Sequence, residues 1–73
     1  MKAFKNRKGN IMAVLKNDKG LYTVYIKQND GAFTKYKPNP YPDRNSRFEA
    51  ETDMFVLVAS STDKTWTEAK AGE

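Results

Sequence analysis

The sequence predicts a small β-rich α+β domain, an antiparallel sheet or partly open barrel of about five short strands with one short helix. Three observations point to it. Turn signals recur through the first forty residues, at Arg7-Lys8-Gly9-Asn10, Asn17-Asp18-Lys19-Gly20 and Asn29-Asp30-Gly31. Each supplies Gly for a positive φ and Asn or Asp for local side-chain bonds to the backbone. The stretches between them are short and rich in β-branched and aromatic residues. All three prolines fall within positions 38–42, which no sheet interior tolerates.

Taken in order, Lys2–Asn6 is a candidate edge strand, and strands follow near 11–16, 21–28 and 32–37. A four-residue loop over 17–20 pairs Lys16 with Leu21, Leu15 with Tyr22, Ala13 with Val24 and Ile11 with Ile26. For the next hairpin, a three-residue turn with Gly31 left-handed pairs Gln28 with Ala32, Ile26 with Thr34 and Val24 with Tyr36. A two-residue turn would instead drag Lys35 and Lys37 onto the apolar face, where their desolvation is costly. On this register Ile11, Ala13, Leu15, Tyr22, Val24, Ile26, Ala32, Thr34 and Tyr36 face the core. Met12, Val14, Lys16, Thr23, Tyr25, Lys27, Phe33, Lys35 and Lys37 face outward.

The segment 38–45 reads as an extended Pro-rich loop. It leads into Ser46-Arg47-Phe48-Glu49, a capping box that starts a short helix near 47–53. The apolar, β-branched run Met54–Ala59 predicts a buried strand, and a turn then leads to a closing strand near 65–69 with Trp66 as a core anchor. At 73 residues the whole chain, 1–73, is one domain with a small core.

The residue inventory narrows the chemistry. There is no Cys and no His, which removes disulfides, thiolate metal sites and every imidazole-based triad. No loop has calcium-ligand spacing, and no Gly-rich phosphate cradle occurs. Glu49 and Asp53 would share a helix face, which reads as a solvated carboxylate pair. No catalysis, cofactor or metal is expected. Nor is a membrane association: no apolar run reaches the length of a span and no leader core is present, so the expected location is the cytoplasm.

Charge is uneven along the chain. The net charge is +4, but residues 1–48 hold 11 basic and 3 acidic side chains, whereas residues 49–73 hold 2 basic and 6 acidic ones. This pattern predicts one cationic and one anionic side. The expected function is nucleic-acid binding, single strands preferred, with Tyr25 and Phe33 stacking on bases and Lys27, Lys35 and Lys37 tracking phosphates. Arg7 and Lys8 extend the track. The alternative is a small protein-interaction module or inhibitor, such as a viral accessory protein, docking on a larger protein. Its contacts would be Tyr41, Arg44 and Arg47 in and after the Pro-rich loop, or the acidic C-terminal third.

Overall fold

The computed structural model describes residues 2–29 and 31–70. The chain runs β1 (Lys2–Lys5), β2 (Ile11–Lys16), β3 (Tyr22–Lys27), β4 (Thr34–Lys35), α1 (Arg47–Ser60) and β5 (Thr67–Lys70). The strands form one antiparallel sheet of order β4-β3-β2-β1-β5. The sheet is open, not a barrel, and α1 packs on one face of it. β1 is no edge strand, because β5 returns from the helix and pairs along its outer side.

The first two hairpins use the same device. In each, an Asn side chain accepts from the backbone four residues on: Asn6 Oδ1 from Asn10 N at 2.8 Å, and Asn17 Oδ1 from Leu21 N at 3.0 Å. A glycine at the third loop position takes positive φ, +85° at Gly9 and +79° at Gly20. Only glycine accepts such a backbone freely. The loop is thus three residues long, as in a type I turn closed by a left-handed glycine.

That geometry corrects the expected register of β2. Asn17 N donates to Leu21 O at 2.7 Å, so Lys16 pairs with Tyr22 and Val14 with Val24, one residue away from the predicted pairing. A one-residue shift exchanges the faces of a strand. Met12 and Val14 are therefore in the core, and Ile11, Ala13 and Leu15 lie on the opposite face. The β3–β4 pairing is as predicted: Ile26 pairs with Thr34, and Tyr36 N donates to Val24 O at 3.0 Å. The left-handed residue of that turn is Asn29 (φ 52°) rather than Gly31, while Asp30 lies outside the described residues.

The helix starts where expected. Ser46 is its N-cap, with Oγ accepting from Glu49 N at 3.2 Å and donating to Glu49 Oε1 at 3.0 Å. It does not end at 53. It continues to Ser60, so the expected strand over 54–59 is the second half of α1. The reason is spacing: Ala50, Met54, Leu57 and Val58 recur at helical intervals and all pack into one cluster with Phe4, Met12, Val14 and Val24. Lys64 Nζ donates to Ala59 O at 3.2 Å, placing a cation at the negative end of the helix.

Polar contacts fix the helix and its flanking segments to the sheet. Arg44 meets Asp53 through two bonds, Nε to Oδ2 at 2.7 Å and Nη2 to Oδ1 at 3.1 Å. The Asp53 contact raises the pKa of Arg44 further above its ordinary value, so its charge is permanent. At the other end, Asp63 accepts from Thr65 Oγ1 (2.6 Å), Thr65 N (2.9 Å) and Asn6 Nδ2 (3.0 Å). Those bonds, from Thr65 first, hold its carboxyl below the usual carboxylate range. A carboxyl with a lowered folded pKa stabilises the fold above its unfolded value and loses that contribution as pH falls through the folded one.

Candidate nucleic-acid interface

The face opposite α1 can be read row by row from the pairing. One row crosses Ala69, Ala3, Ala13, Tyr25 and Lys35, and the next crosses Thr67, Lys5, Ile11 and Lys27. The β3–β4 register, continued by one residue, sets Phe33 beside Lys27. Thr23 follows on β3 at the other end, next to Lys35 and Lys37 in a cleft under the Pro-rich loop. Within the five strands this face carries no acidic residue: Glu68 pairs with Phe4 and so belongs to the helix side.

Small side chains make the middle of the face low. Ala3, Ala13 and Thr23 are buried although no helix lies above them. Ile11, Leu15 and Tyr25 are half-buried around them, and Phe33 is 36% exposed. The ammonium-bearing Lys5, Lys35 and Lys37 are exposed, and Lys27 is half-buried. Tyr25 and Lys35 are direct cross-strand partners, so one ring and one cation are within reach of the same ligand group.

Arg7 and Lys8 occupy the β1–β2 turn beyond Lys5 and line a cleft with Thr62, Asp63 and Thr65. Arg7 N donates to Thr65 Oγ1 at 2.9 Å. Asp63 beside them offsets part of their charge. Of the residues singled out for protein docking, two are engaged inside the fold. Arg44 is held by Asp53, and Arg47 donates to Val14 O at 2.9 Å while its guanidinium lies 5.1 Å from the Tyr22 ring centroid. Tyr41 lies half-buried in the Pro-rich loop.

Three contributors are not among the residues singled out from the sequence. Lys5 joins the face because β1 pairs inside the sheet, and Ile11 joins it because β2 is in the shifted register. The third is a stripe on the outer side of α1, where Phe48 is 78% exposed, Val56 44% and Phe55 38%. Phe55 meets Phe4 edge-on at 5.2 Å and lies under Lys2 Nζ at 4.8 Å. With the helix running to Ser60, positions 48, 52, 55, 56 and 59 fall on one side of it.

Among the described residues, no group of three or more acidic, His or Cys side chains is placed to hold a metal ion, and no helix is long and apolar enough to cross a membrane. No protein-family model, no curated protein and no solved structure matches the chain.

Proposed function

We propose that the chain is a non-catalytic nucleic-acid-binding domain that prefers single strands and holds them on the sheet face opposite α1. The observation that carries this reading is the make-up of that face: Tyr25 and Phe33 set among Lys5, Lys27, Lys35 and Lys37, with no acidic residue among the described strand residues that point to it. Rings stack on bases irrespective of sequence, and ammonium groups follow the phosphates. A duplex hides its base faces, so stacking favours a single strand. The acidic side chains Glu49, Glu51 and Asp53 sit on the helix behind the sheet, which orients an approaching polyanion toward the cationic side.

The test is affinity for a labelled deoxyoligonucleotide as a function of salt. Four lysine–phosphate contacts on a single strand give a slope of log affinity against log salt of roughly −3. Affinity should then fall about 50-fold between 50 and 200 mM salt, and a duplex of the same length should bind more weakly. Binding that is unchanged by salt, or stronger for the duplex, contradicts the reading.

A second reading, protein docking, is supported by the separate stripe on α1, and its occupant is a second copy of this chain. Two helices packed antiparallel would bring the Glu49 and Glu51 end of one beside Lys64 of the other. They would also bury both copies of Phe48, Phe55 and Val56. The patch is small, so the dimer is weak and concentration-dependent. Sedimentation equilibrium should show self-association that Phe48→Glu abolishes without unfolding the domain. A wild-type monomer at millimolar concentration excludes this reading.

A further inference from the structure

Beyond Tyr25 the lysine-lined face runs into a cleft of about 170 Å³ between β3, β4 and the Pro-rich loop. Its lining is Thr23, Lys35, Tyr36, Lys37, Asn39, Tyr41 and Asp43. We propose that this cleft is a nucleobase subsite at one end of the strand track, selective for a base that carries an amino group and a carbonyl on its pairing edge, which means cytosine or guanine. The proposal rests on the reading of the sheet face as a single-strand platform and adds a base preference to it.

The argument starts from how the cleft is held. Asn39 Oδ1 accepts from Tyr41 N at 3.0 Å, and Asn39 Nδ2 reaches Thr23 Oγ1 at 3.4 Å. The loop is pinned again where Tyr22 and Arg44 exchange backbone bonds, both 2.8 Å. Asn17 Nδ2 donates to Asp43 Oδ2 at 2.9 Å and fixes that carboxylate at the cleft. The walls are therefore formed before any ligand arrives, which limits the ordering cost of binding.

The charges in the cleft then select the ligand group. Asp43 is the one carboxylate among the lining residues, and it sits with two lysines. It opposes a phosphate that Lys35 and Lys37 would otherwise attract. An amino group on a base donates to it, while a carbonyl on the same base accepts from Lys35 or Lys37. Tyr41 supplies an aromatic wall for a flat ring, while Tyr36, at the cleft's edge, packs against the core cluster on the helix side. Thymine and uracil offer only a ring N3–H recessed between two carbonyl oxygens, which a carboxylate cannot approach without meeting one of them, and adenine presents no carbonyl. Cytosine and guanine present both groups.

The experiment compares decamers of deoxycytidine, of deoxythymidine and of alternating thymidine and deoxyguanosine, at one salt concentration. The cytosine and the guanine-containing decamers should bind about fivefold to tenfold more tightly than the thymine one. Asp43→Ala should erase that ratio. Asp18→Ala removes the same charge from the β2–β3 turn and should leave the ratio intact while raising affinity for all three. Asp43→Asn keeps a partner for Asn17 and should narrow the ratio if the alanine variant misfolds. Equal binding of the three decamers, or a preference that survives both Asp43 variants, overturns the subsite and leaves the platform standing. Absence of salt-dependent binding to any decamer overturns both.

Discussion

Met54→Ala should cost the fold about 2–5 kcal/mol, the usual range for truncating a buried methionine. For a domain of this size that lowers Tm by roughly 10–35 °C. Met54 is wholly buried and lies in the cluster that joins α1 to β1, β2 and β3 through Phe4, Met12, Val14 and Val24. Among the described residues no other helix or strand covers that side of the sheet, so the lost contacts are not replaced. The neighbouring positions make the result diagnostic. In a helix, Leu57 and Val58 share the buried side with Met54 while Val56 points away. Val56→Ala should therefore change stability by no more than about 0.5 kcal/mol, whereas Leu57→Ala should follow Met54→Ala in direction. A strand would give the alternating pattern instead, with 54, 56 and 58 all sensitive. Thermal unfolding of the three variants distinguishes the two.

Reversing two charges on the sheet face, Lys27→Glu together with Lys35→Glu, should weaken single-strand binding about a hundredfold at 0.1 M salt. Loss of two phosphate contacts alone accounts for about 25-fold of this, and the new carboxylates repel the strand. The salt slope should halve, to about −1.4. Lys35 is exposed, and Lys27 sits next to it in β3 with its partner Ile11 on the same face, so neither reversal enters the core. The matching control is Lys2→Glu with Lys16→Glu. These lysines lie on the helix side, over Phe55 at 4.8 Å and Tyr22 at 5.9 Å. The control changes net charge equally, so it should lower affinity severalfold without altering the slope. If the two double variants behave alike, the effect is global charge and not a located face. Tyr25→Ala separates stacking from charge: it should cost about 1–3 kcal/mol of binding while leaving the slope at its wild-type value.

The outer half of the sheet was readable before the structure because desolvation decided it. Burying Lys35 and Lys37 was untenable, so the β3–β4 register followed, and with it the shared face of Tyr25, Lys27 and Lys35. No such penalty separated the two registers of β2, where Met12 and Val14 compete with Ile11, Ala13 and Leu15 as core residues. The deciding signal was the repeated Asn-x-Lys-Gly at 6–9 and 17–20, whose Asn closes the loop on the residue after Gly. The N-cap at Ser46 was legible as a local pattern, but the C-terminal end of α1 was not. Met54–Ala59 is apolar on every side, so its period is masked, and the exposed Phe55 and Val56 are the reason. The place of Lys5 depends on β5 pairing with β1 across more than sixty residues, and the cleft at Tyr41 depends on the loop returning to Tyr22. Contacts that distant leave no mark in a local window.

The located face is tested most directly by following backbone amide resonances during titration with a deoxycytidine decamer. Shifts should concentrate at Lys5, Ile11, Tyr25, Lys27, Phe33, Lys35 and Lys37, with Phe48, Phe55 and Val56 unmoved. Shifts gathered along α1, or spread evenly over both sides of the sheet, would contradict the account.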